Sequence, residues 1–92
     1  MKRLAILGAS GHGKVVADCA EEAGWKEVVF YDDTWPECEV NGVWNVIGDT
    51  EALLDNLSNY DGVVVAIGHN FTRLKKQVDL LAHDAPLVSV IH

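Results

Sequence analysis

The stretch Leu4-Ala5-Ile6-Leu7-Gly8-Ala9-Ser10-Gly11-His12-Gly13-Lys14 decides the fold. Its first four residues are apolar without alternation and stop at Gly8, as in a strand buried on both faces. Beyond the glycines, Val15, Val16, Cys19, Ala20 and Ala23 recur at helical spacing, and Gly24 supplies a helix stop. A strand that runs through a glycine turn into a helix is the opening unit of an α/β sheet.

The rest of the chain repeats that grammar. Glu27–Tyr31 reads as a second strand stopped by Asp32-Asp33, and residues 34–43 read as a loop. Trp44–Ile47 reads as a short third strand, and Thr50 as the cap of a helix carrying Leu53, Leu54 and Leu57. Val63–Ile67 is the clearest strand, ending at Gly68. Asn70 is expected to cap a helix with Phe71, Leu74, Val78 and Leu81 on one face. Pro86 then separates it from a last strand, Leu87–Ile91. The expected fold is a small Rossmann-like α/β domain over residues 1–92. Its parallel sheet has strand order 3-2-1-4-5 with helices on both faces.

Composition narrows the partners. Among 92 residues, 14 Asp+Glu outnumber 7 Lys+Arg, a formal net charge of −7. Nucleic acid and anionic membrane surfaces want a basic footprint, so neither is expected as a partner. The two cysteines, Cys19 and Cys38, make neither a disulfide framework nor a zinc site. With no basic-then-apolar leader after Met1-Lys2-Arg3, a reduced, cytoplasmic protein is expected.

In doubly wound sheets, ligands bind beyond the carboxyl ends of the strands, where the strand order reverses. That rule selects Gly8, Ser10, Gly11, His12 and Gly13 after the first strand, and Gly68, His69 and Asn70 after the fourth. Asp32 and Asp33 end the neighbouring strand, and only one of these carboxylates can face the cleft. Glycines let the backbone approach a ligand closely, and the following helix aims free N–H groups at an anion. The spacing is G-x-x-G-x-G, not the dinucleotide G-x-G-x-x-G, so it points to a nucleotide-like ligand without naming one. Lys14 and Arg73 fall in the first turns of their helices, where a cation opposes the dipole and a bound anion would compensate. His12 and His69 are expected near each other as ligand hydrogen-bonding groups, since neither a third metal ligand nor a Ser/His/Asp set accompanies them. No catalytic residue and no metal is assigned. Trp35 is placed to cover a base, Cys19 in the core, and His83 and His92 at the surface.

Four signatures in order carry a resemblance: Gly8–Gly13, Tyr31-Asp32-Asp33, Ala66–Asn70 with Arg73, and Val90-Ile91-His92. Together they resemble the N-terminal domain of bacterial sugar O- and N-acetyltransferases, of the sialic acid O-acetyltransferase and UDP-4-amino-sugar acetyltransferase type (NeuD/PglD). The resemblance implies a module that binds a UDP-sugar. Gly8, Ser10, Gly11, His12 and Gly13 would lie at the phosphates and sugar, Asp32 and Asp33 at the uridine, and Gly68, Asn70 and Arg73 along the opposite wall. It also implies a left-handed β-helix of hexapeptide repeats after this domain, which forms a trimer, binds acetyl-CoA and carries the catalytic histidine. No such repeat occurs in these 92 residues, so the domain alone is expected to be monomeric, to need no cofactor, and to bind without acetylating. His69, where a smaller polar residue is common, and Asn45, where proline is frequent, depart from the family pattern. An NAD(H)- or CoA-binding module and a ligand-free interaction domain stay open as other readings.

Overall fold

The computed structural model describes residues 2–88 and centres on strand β1 (Arg3–Leu7). Strand β2 (Glu27–Tyr31) pairs parallel with it on one side, in the register Leu4 to Val28 and Leu7 to Tyr31. Strand β5 (Gly62–Val65) pairs parallel on the other side, Leu4 to Gly62 and Leu7 to Val65. The central order is therefore β2-β1-β5, the middle of the expected sheet. Its outer strands shrink to single parallel bridges, Phe30 with Val46 and Val63 with Leu87. Most of the expected last strand lies outside the described residues, as does His92.

Between the flanks, part of the expected loop 34–43 forms a small antiparallel hairpin of β3 (Val40–Asn41) and β4 (Trp44–Asn45). Its two-residue turn starts at Gly42 with φ 66°, a first turn position that glycine fills without strain. Trp44 is thereby turned inward, where its ring meets Phe30 edge-on at 6.2 Å.

Alternation along β1 divides the core in two. Leu4 and Ile6 face helix α1 (Gly11–Glu22) through Ala17 and Ala20, together with Phe30, Trp44 and Val46. Ala5 and Leu7 face the other side, against Leu53 of α2 (Thr50–Asp55) and Leu80 of α3 (Asn70–Ala82). Helices thus cover both faces, which is why the strands are continuously apolar. Leu4, Ile6, Leu7, Phe30, Leu53, Val63 and Leu80 are all but fully buried, each contributing on the order of 1.5–3 kcal/mol relative to exposure. Beneath α2 the Tyr31 and Tyr60 hydroxyls share a 2.6 Å hydrogen bond. Burial pushes the Tyr31 phenol well above the ordinary tyrosine range, and that bond pushes the same way.

Helix ends follow local chemistry, with two differences from the sequence reading. α1 begins after Ser10 and ends at Ala23, where Gly24 (φ 101°) and Trp25 return N–H bonds to Glu21 and Ala20. α2 is capped by Asp49, which accepts from Ala52 N–H, rather than by Thr50. α3 is capped by His69, whose Nδ1 accepts from Thr72 N–H at 3.3 Å, rather than by Asn70. The larger difference is the rotation of α3. Phe71, Leu74, Val78 and Leu81 all face solvent, because the helix is seated through Leu80 and Lys76 instead.

Candidate functional site

Where β1 and β5 end side by side, the backbone is too tight for a side chain. Gly8 has φ 120°, donates its N–H to Tyr31 C=O at 2.8 Å, and would place a Cβ only 2.6 Å from Ala66 O. Ala66 N–H in turn bonds Leu7 C=O at 2.8 Å. One turn later, a Cβ on Gly13 would lie 2.4 Å from Gly8 O and 2.9 Å from the Phe30 ring. Gly8 and Gly13 therefore let the start of α1 rest directly on the end of β1. Gly11 and Gly68 are different, since a Cβ at either would meet nothing within 4 Å. Packing does not demand glycine at those two positions.

The loop is held from two sides. The Asp32 carboxylate accepts from Ala9 N–H at 2.7 Å through one oxygen, and from Thr34 N–H (2.9 Å) and Oγ1–H (2.6 Å) through the other. Asn41, buried at the hairpin, donates its side-chain N–H to Ser10 C=O at 3.1 Å. In the sequence Asn41 falls within the loop 34–43, and its place before Gly42 marks a turn but not this long-range bond. Ser10 itself caps α1, its Oγ accepting from Gly13 N–H at 3.5 Å.

Asp33, in the turn that follows β2, points away from the glycine loop. One oxygen accepts from Thr50 N–H (3.0 Å) and Oγ1–H (2.7 Å), while the other takes Lys76 Nζ at 2.8 Å. Lys76 Nζ also donates to Thr50 Oγ1 at 3.0 Å, so the cluster clasps the end of β2 to α2 and α3. The candidate pair thus divides, with Asp32 lying against the glycine loop and Asp33 beneath it between two helices.

Partial burial alone would raise both carboxyls, but hydrogen bonds outweigh it and hold them below the ordinary aspartate range. The donors are Thr34 and Ala9 for Asp32, and Lys76 and Thr50 for Asp33. A depressed folded-state pKa gives stability that is complete above the unfolded carboxyl value of about 3.9 and is lost as pH falls through the folded value. Urea midpoints should therefore be flat from about pH 7 to 5 and drop below about pH 4. In the double Asp32→Asn, Asp33→Asn variant that acid drop should be visibly shallower.

On the opposite wall, Arg73 Nη2 donates to Asn70 Oδ1 at 2.6 Å, folding the guanidinium back toward the N-terminal end of α3. His69 caps that helix, whereas His12, exposed in the first turn of α1, lines a cavity of about 400 Å³ with Val16, Val64, Val65 and Gln77. Among the described residues no hydrogen bond joins the two imidazoles, and no group of three or more metal-ligating side chains forms. The side chain of Lys14 lies beside Gly42 of the hairpin. Ion pairs among the described residues are Arg3–Glu27 and Lys76–Asp33, so Lys14 and Arg73 have no carboxylate partner. No helix is long and apolar enough to cross a membrane among those residues.

Comparisons with known proteins agree with this fold. The acetyltransferase domain of PglB from Neisseria gonorrhoeae, solved with acetyl coenzyme A, is 39% identical over 91% of this chain, with a TM-score of 0.77. A GDP-perosamine N-acetyltransferase variant from Caulobacter crescentus, solved with CoA and GDP-perosamine, is 33% identical over the whole chain, with a TM-score of 0.83. PerB from the same organism, in complex with the same two molecules, is 31% identical with a TM-score of 0.80. This chain spans only 40% of the first of these and 43% of the other two. Residues 3–80 match the PglD N-terminal domain, and the chain accordingly belongs to that family.

Proposed function

We propose that this domain holds a UDP-sugar for a sugar acetyltransferase, presenting a sugar amine or hydroxyl for acetylation. The observation that carries the reading is that the first turns of α1 and α3 each hold a cation, Lys14 and Arg73, and no acidic residue, and among the described residues neither cation makes an ion pair. In a chain of net charge −7, two such cations at two positive helix ends favour one small diphosphate. Gly11 and Gly68 leave open the space that side chains would fill on either wall. Ser10, His12, His69 and Asn70 supply polar groups around it, with Gly8 and Gly13 shaping the loop. Asp32, fixed against Ala9, stands at the nucleoside end, while Asp33 supports that corner from below. In the reaction, the sugar nucleophile would attack the thioester carbonyl of acetyl-CoA, and the thiol would leave. On this reading the acetyl-CoA site and the general base would lie outside these residues, on a trimer-forming β-helix.

The test is an amide NMR titration of the chain with UDP-sugar, GDP-sugar and NADH in parallel. UDP-sugar should shift residues 8–14, 32–34 and 68–73, and Arg73→Ala should weaken binding about 5–30-fold by removing a charge-assisted contact. No shift at millimolar UDP-sugar, or stronger shifts with NADH, would reject the proposal. A stronger response to GDP-sugar would reassign the base and keep the sugar-nucleotide site.

A further inference from the structure

We infer that the outer face of α3 is a self-association surface, on which a second copy of this chain seats its own α3 antiparallel. Phe71, Leu74, Val78 and Leu81 are 74%, 58%, 63% and 60% exposed, although they recur at the 3-4-3 spacing of a helix–helix seam. The helix cannot turn to bury them. Leu80 is fully buried on the opposite side, and Lys76 is tied to Asp33 and Thr50 at 2.8 and 3.0 Å. The stripe is therefore a fixed surface of the folded domain.

A second copy fits it for two reasons. The spacing is self-complementary under a twofold axis between Leu74 and Val78: Phe71 of one copy meets Leu81 of the other, and Leu74 meets Val78. Four side chains this exposed offer on the order of 500 Å² of apolar area per copy, and about 1,000 Å² across the pair is the lower bound of a specific interface. The result is a weak dimer rather than an obligate one. Charge modulates it: each copy carries a net charge of −7, so the two copies repel. Added salt screens this repulsion and tightens the pair, opposite to what an ion-paired interface would do. This departs from the monomer expected of the isolated domain.

Sedimentation equilibrium of the full chain from about 10 μM to 1 mM tests it, with an expected dissociation constant on the order of 10–500 μM. Raising NaCl from about 0.05 to 0.5 M should tighten the dimer a few-fold. Leu74→Glu should remain monomeric throughout, with an unchanged far-UV spectrum and melting temperature, because Leu74 is 58% exposed and belongs to neither core cluster. A monomer at 1 mM, association that weakens with salt, or a Leu74→Glu protein that pairs like the parent would each overturn the inference.

Discussion

Gly13→Ala should cost the domain about 3 kcal/mol or more, read as a fall in urea midpoint at constant slope. The new methyl would lie 2.4 Å from a backbone carbonyl and 2.9 Å from the fully buried Phe30 ring. Neither neighbour is the free end of a flexible chain, so α1 itself must lift from β1. A domain of 92 residues has a total stability on the order of 5–15 kcal/mol, which makes this a large fraction. Gly11→Ala is the informative contrast. A methyl there meets nothing within 4 Å and lies inside α1, so stability should hold or rise by up to about 1 kcal/mol. If the cleft holds a ligand, that same methyl weakens binding. One alanine thus reads packing and the other reads the site.

The second large effect belongs to the clasp beneath the loop. Asp33→Ala removes the acceptor for Thr50 N–H, Thr50 Oγ1–H and Lys76 Nζ, and should destabilise by about 2 kcal/mol. Lys76→Met should cost less than about 1 kcal/mol, because a half-exposed Asp33 keeps both Thr50 bonds and meets solvent. In the double variant the two costs should not add, and a coupling of roughly 0.5–1 kcal/mol is expected from the cycle. Strict additivity would show that the Lys76–Asp33 contact contributes nothing.

Much of the fold is legible in the sequence. The continuous apolar runs at Leu4–Leu7 and Val63–Ile67 specify a sheet covered on both faces, and β1 and β5 follow. The loop after β1 and the segment after Val65 come together because parallel strands end on the same side. What the sequence concealed was mainly rotation and long-range polar contact. α3 shows two partial faces, one apolar and one built from Leu80, Lys76 and Arg73; periodicity favours the first. Seating rests on the fully buried Leu80 together with a bond between Lys76 and an aspartate 43 residues away, which no helical wheel contains. Likewise Asp32 and Asp33 are equivalent as letters and opposite as side chains. Asn41 acts on Ser10 from 31 residues away through one amide hydrogen bond, a contact with no local signature.

The approach of Gly8 to Ala66 has a kinetic meaning. Because β1 and β5 touch through main chain at this point, the proposed site would not work as a jaw that hinges open to admit a ligand. A sugar nucleotide bound as proposed would meet walls already joined at their base, and its arrival would be governed by diffusion and by the fields of two helix ends rather than by a gating step. Any closure over it has to come from above, by the β3–β4 hairpin or by another polypeptide.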